Sequence, residues 1–186
     1  MARKERLLVA VSGTDGLDRL WAGWRHPYVE AAGEESVHRS ERDCIFCRIL
    51  ASDDDPEQTY VVWRDVRCAV VLNAYPYTSG HLMVMPVRHV GELEDLDDEE
   101  ATGLWRVVGD SVVGLRAAYS PEGLNVGANL GRAAGAGVPE HLHVHCVPRW
   151  TGDTNFMTAL AETRVLPEAL SSSFERLRAT WPRRQP

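Results

Sequence analysis

No stretch of this sequence is long and apolar enough to span a bilayer, which argues against an integral membrane protein. No internal repeat and no low-complexity segment is present, so a solenoid or a disordered array is excluded as well. Basic residues are in deficit: 20 Lys and Arg stand against 27 Asp and Glu, a formal net charge of −7. That balance speaks against a broad nucleic-acid surface, although a locally positive site can still take a small anion. The opening "MARKERLLVAVSGTDG" has a basic start and a short apolar patch but lacks an extended apolar segment and an A-x-A cleavage site, so the expected compartment is the cytoplasm. Cysteine is scarce. Of the four, Cys44 and Cys47 form a C-x-x-C, whereas Cys68 and Cys146 sit inside apolar, strand-like stretches as small buried hydrophobes. In a cytoplasmic chain this spacing favours metal or redox chemistry over a disulfide framework.

What is present suits a soluble globular protein: 186 residues, 44% of them apolar and 25% charged. The first sixteen residues read as a flexible lead-in, and 17–186 as one domain with a C-terminal helical extension. Tryptophan-rich 16–30 reads as a short helix followed by a docked arm. "CIFCRILAS" (44–52) has apolar residues at helical spacing and is broken by "DDDPEQ". Strands are expected at 59–63, 67–72 and 81–87, with the turn-rich "NAYPYTSG" between the last two. A long helix from Glu99 to Tyr119 aligns Leu104, Val107, Val108, Val112 and Leu115. Its acidic approach, 92–103, is a solvated helix start favoured by the dipole. Two more strands at 124–130 and 141–147 and a closing helix at 166–181 complete an α+β chain: an antiparallel sheet of about five strands, flanked by helices, with the long helix between the strand groups.

Three of the seven histidines fall in "HLHVHCVPRW" (141–150). On a strand, residues two apart share a face, so His141, His143 and His145 point one way and Leu142, Val144 and Cys146 the other. Such a row can be a plain polar face, a metal site, or a catalytic device in which one imidazole attacks and its neighbours orient it. The preceding "GRAAGAG" (131–137) permits close approach of main-chain N–H groups to an anion. Cys44 and Cys47 supply half of a tetrahedral zinc site, with His89 and His141 as candidates for the rest. The other reading of the dicysteine is a reduced, metal-free helix start. Trp150 is placed to stack on a base.

The ordered elements "LWAGWRHPY" (20–28), "CIFC", "LNAYPYTSGHLMVMPVRHV" (72–90) and "HLHVHCVPR" resemble the histidine-triad (HIT) superfamily, with the pattern of its bacterial diadenosine tetraphosphate phosphorylases and hydrolase-like members. The likeness runs from about residue 17 to "GDTNF" (152–156) and into the tail. It implies a HIT-like fold, a homodimer and an enzyme that cleaves dinucleoside polyphosphates at the α-phosphate. His143 would be the nucleophile of a covalent nucleotidyl-histidine, His145 a phosphate ligand, and the backbone at His141 the group fixing the tautomer of His143. Asn73 matches the ribose position; Asn129, Ala136, Gly137 and Trp150 match positions near phosphate or base. Structural zinc would sit on Cys44, Cys47, His89 and His141, and no organic cofactor is implied. Inorganic phosphate or water would be the second acceptor, with phosphorolysis favoured; hydrolysis of dinucleoside polyphosphates or nucleoside phosphoramidates, and low-turnover purine-nucleotide binding, are the alternatives. One departure matters: relatives often carry Ser, Thr or Gln where this chain has Gly137 and Val138, which leaves Glu140 and His141 as candidates to serve the leaving oxygen.

Overall fold

The structure, a computed structural model, describes residues 10–12, 18–20, 41–153 and 168–182. The chain divides into two units, Met1–Val37 and His38–Pro186. In the first, strands β1 (Ala10–Ser12) and β2 (Asp18–Leu20) pair antiparallel, so a strand stands where the helix expected over 16–30 would begin. Residues 21–40, with most of "LWAGWRHPY", lie outside the described residues, as do 154–167.

The second unit runs α1 (Ile45–Ala51), α2 (Pro56–Thr59), β3 (Val61–Arg64), β4 (Cys68–Leu72), β5 (Leu82–Pro86), α3 (Asp98–Tyr119), β6 (Gly123–Ala128), β7 (Val144–Arg149) and α4 (Leu170–Thr180). Its five strands form one antiparallel sheet in the order β3-β4-β5-β7-β6. The fold is α+β, as the element order suggests. No helix among the described residues is long and apolar enough to cross a membrane.

Alternation assigns the two faces. Val70, Leu72, Leu82, Val84, Val144 and Cys146 bury one face against Leu104, Val107, Val108 and Leu115 of α3 and Phe174 and Leu177 of α4. Ala69, Val71, Met83 and Met85 bury the other against Phe46 and Leu50 of α1 and Cys44 just before it. Covered on both sides, β4 and β5 read as unbroken apolar runs. Cys68 and Cys146 are core thiols of the first face.

The last strand begins three residues later than the histidine alternation predicts. The β5–β7 ladder stops at Val84↔Val144. Two residues on, Pro86 has no N–H to offer, and its carbonyl accepts from the His141 ring at 2.9 Å. The Leu142 N–H turns instead to the Val90 carbonyl, at 2.7 Å. His141, Leu142 and His143 therefore form an extended approach outside the ladder.

Asp97 and Glu100 start α3 with reciprocal side-chain-to-backbone bonds of 2.7 and 3.1 Å. Arg88 grips the same carboxylate at 2.7 and 2.6 Å, tying α3 to the segment after β5. Tyr119 at the far end of α3 closes on Gly80, where φ is +80° and a Cβ would stand 2.5 Å from the ring.

The Arg88 fork holds the Glu100 carboxyl well below its ordinary 4.5, at about 2. A depressed carboxyl stabilises the fold above its unfolded pKa and loses that contribution as pH falls through its folded one. Glu100→Ala is expected to lower urea-unfolding stability by about 1–2 kcal/mol at neutral pH. The gap between variant and wild type should close as pH drops from 4.5 toward 2.

Candidate active site

The site is built on the α1 face of the sheet. A cavity of about 1010 Å³ is bounded by Ile45, Phe46 and Ile49 of α1, Val71 and Leu72 of β4, the turn from Asn73 to Tyr77, Gly135, Gly137, and the rings of His143 and His145. Of the residues the sequence nominated for nucleotide contact, Asn73 and Gly137 line this cavity and Asn129, Ala136 and Trp150 do not. Trp150 lies edge-on to Tyr119, centroids 6.2 Å apart. Asn129 lies beside Gly135, and Ala136 is buried.

Hydrogen bonds fix which imidazole nitrogens carry protons. His143 Nδ1 lies 2.8 Å from the His141 carbonyl, an acceptor only, so this nitrogen is the N–H and Nε2 keeps its lone pair. The Tyr77 N–H donates to His81 Nδ1 at 3.1 Å, which puts the His81 proton on Nε2. That N–H donates to His145 Nδ1 at 2.9 Å, and the His145 proton is thereby placed on its own Nε2. His145 Nε2 is buried without a hydrogen-bond partner among the described residues. The pair thus offers one lone pair and one N–H, from rings 4.9 Å apart.

Burial keeps both rings neutral. It lowers His143, partly offset by the His141 carbonyl, and lowers His145 to about 4 with a further push from His143. Phe46 stands edge-on to His143 at 5.1 Å and to His141 at 5.6 Å, completing the dry wall behind them.

The glycine-rich loop contributes less than a full bed of amides. Its Gly135 and Ala136 N–H groups close the loop on the carbonyls of Arg132 and Gly131, at 2.9 and 3.2 Å. Gly135 and Gly137 are where the loop comes to the cavity, and of these two only the Gly137 N–H is not used to close the turn among the bonds described. Glu140 is engaged by Arg132 at 3.5 Å and is not part of the cavity wall.

His141, although first of the three, turns away from the cavity. Its Nε2–H donates to Pro86, so Nδ1 points its lone pair at Cys44 Sγ (3.4 Å) and Cys47 Sγ (3.5 Å). His89 Nδ1 lies 3.2 Å from Cys47 Sγ, and the four ligand atoms all fall within 4.8 Å of one another. A tetrahedral zinc with ordinary bond lengths separates S and N ligands by about 3.6 Å, so this donor set fits such a cation. Burial pushes the Cys47 thiol up to about 12, and a cation is the partner that would favour the thiolate there.

Sequence reasoning missed His81, Phe46 and Tyr77. His81 follows the same alternation as Met83, which pairs with His145 in the β5–β7 register; the signal exists only once those two strands are known to be neighbours.

The HIT domain family model matches residues 56–152. A Mycobacterium tuberculosis protein named AP-4-A phosphorylase is 40% identical over 175 residues, 93% of this chain and 89% of its own. A bis(5'-nucleosyl)-tetraphosphatase (asymmetrical) from Schizosaccharomyces pombe is 35% identical over 98 residues, 53% of either chain. Among solved structures, a Zn-bound histidine triad family protein from Mycobacterium smegmatis superposes with a TM-score of 0.62 at 29% identity, covering 76% of this chain and 95% of its own.

Long-range ¹H–¹⁵N spectra should show His143 protonated on Nδ1 and His145 on Nε2. In His81→Ala the His145 preference should be lost while that of His143 persists. A wild-type His143 carrying its proton on Nε2 contradicts this assignment.

Proposed function

Because the chain belongs to the HIT domain family, we propose that it cleaves dinucleoside polyphosphates at the α-phosphate, with His143 as the nucleophile and inorganic phosphate as the second acceptor. One observation carries the reading: a neutral imidazole with a free Nε2 lone pair and a second with a buried, unpartnered Nε2–H line the same cavity from adjacent rings.

The base of the transferred nucleotide enters the slot of Ile45, Phe46, Ile49 and Val71, and Asn73 faces its ribose. His143 Nε2 attacks the α-phosphorus; a P–N bond forms and the bridging P–O bond breaks. Diadenosine tetraphosphate then leaves ATP and an adenylyl group on His143. The His145 N–H binds a phosphate oxygen where charge gathers, and Gly137 lets the backbone approach it. In the second step phosphate attacks and releases ADP, restoring the lone pair. A Cβ on Gly137 would meet nothing within 4 Å, which leaves room there for an incoming phosphate. Similarity along 93% of the chain to a protein named a phosphorylase supports this acceptor.

Water is the second reading, favoured by likeness to the yeast tetraphosphatase, and it yields AMP instead of ADP. Zinc on Cys44, Cys47, His89 and His141 holds the first turn of α1 to the approach of β7. Its thiols suit a reducing compartment, the cytoplasm. Strand β6, exposed along the sheet edge with Val126 open to solvent and Leu130 open just beyond its end, offers a face for the second subunit of a homodimer.

Incubation with diadenosine tetraphosphate is expected to give ATP plus ADP only when phosphate is added; AMP plus ATP without phosphate means hydrolysis. His143→Ala should cut turnover by at least about 10³-fold with the fold intact. Residual activity near wild type in that variant defeats the proposed nucleophile.

Metal analysis of purified protein should find about one zinc per chain. Cys44→Ser should lose it and melt about 5 °C or more below wild type. A variant that keeps both its zinc and its melting point excludes Cys44 as a ligand.

A further inference from the structure

The cavity is large for a small-molecule site. About 1010 Å³ is at the top of the roughly 300–1,000 Å³ usual for small-molecule sites. The apolar slot against α1 accounts for one base. The turn after β4 lines the same cavity as the imidazoles, and it carries Tyr75.

Tyr75 is 87% exposed, yet it belongs to the cavity wall. Exposure alone would not mark the ring, since single exposed aromatics are ordinary; its place on the cavity wall does, because a flat apolar face there is open to a ligand. Its backbone is anchored: the Tyr75 N–H donates to Asn73 Oδ1 at 2.9 Å, and Pro76 fixes the next φ. An anchored tyrosine has two side-chain torsions to order, so a flat ring can settle on it at little entropic cost. The neighbouring tyrosine is differently employed. Tyr77 stacks on His145 at 5.9 Å and 29° and lies 4.5 Å from His81, which makes it part of the imidazole wall.

The geometry points to Tyr75 as the stacking platform for the second nucleobase of a dinucleoside polyphosphate, the base that departs with the leaving group. This rests on the reading of the cavity given above. The first base has an apolar slot and does not need a ring outside it. The second is tethered through a flexible chain of phosphates that starts at His143, and Tyr75 is the most exposed of the aromatic residues lining the cavity, Tyr77 being half as exposed and held against His81 and His145. Any base presents a π-face, so the subsite favours a second nucleoside over a bare polyphosphate with little regard to base identity.

The test compares two ligands that share the adenylyl half and the four phosphates: diadenosine tetraphosphate and adenosine 5'-tetraphosphate, which lacks the second nucleoside. Dissociation constants are measured by calorimetry in the non-turning-over His143→Ala background, with and without Tyr75→Ala or Tyr75→Phe. The preference for the dinucleoside should shrink about tenfold with Tyr75→Ala, the factor expected for one lost base–aromatic stack, and should survive in Tyr75→Phe. An unchanged preference in Tyr75→Ala, whether or not both ligands bind more weakly, overturns the stack. So does equal affinity for both ligands when Tyr75 is intact. Turnover of diadenosine tetraphosphate by otherwise wild-type protein is followed separately: cleavage with an unchanged preference removes the stack alone, and a changed preference without cleavage removes the proposed reaction alone.

Discussion

The bond from the His143 Nδ1–H to the carbonyl of His141 is the contact on which the rest of the site depends. It decides that the nitrogen facing the cavity holds a lone pair rather than a proton, the difference between a nucleophile and a hydrogen-bond donor. The accepting carbonyl belongs to a residue whose ring is fixed from the other side, between Pro86 and the two cysteines. One residue thus joins two chemistries: its ring faces the cysteine cluster, and its main chain sets the state of the imidazole two positions on. A group placed this way tunes a ligand or a base without touching substrate.

The sheet separates supporting work from chemical work by alternation. Leu142, Val144 and Cys146 go to the core shared with α3 and α4, while His143 and His145 go to the cavity. The core side is densely apolar and locks the position of β7, so the two rings are held by packing as well as by hydrogen bonds. On the open side, α1 contributes Phe46 to the wall behind the rings and Cys47 to the cluster, with Cys44 at its N-cap, so a helix of seven residues takes part in both.

Much of this was legible in the sequence. The α3 periodicity, the apolar runs of β4 and β5 and the α+β order follow from composition and spacing, and the alternation of three histidines marks the chemical face. What the sequence concealed depends on neighbours distant along the chain. That β7 starts at Val144 follows from Pro86, a residue of another strand with no amide to give. The part played by His81 needs the β5–β7 register before it has meaning. Trp150, adjacent to the histidine strand in sequence, goes to Tyr119 because Arg149 and the Trp150 N–H are both bound to Asp153, which turns the chain there. The glycine-rich loop looks like a row of available amides until two of them are seen to close its own turn.

The approach of Tyr119 to Gly80 constrains two distant positions together. Gly80 immediately precedes the histidine that sets the His145 proton, and a side chain there would meet the tyrosine ring at once. The glycine's φ of +80° is a second and independent demand for glycine, so trimming residue 119 would relieve the clash without freeing residue 80 to change.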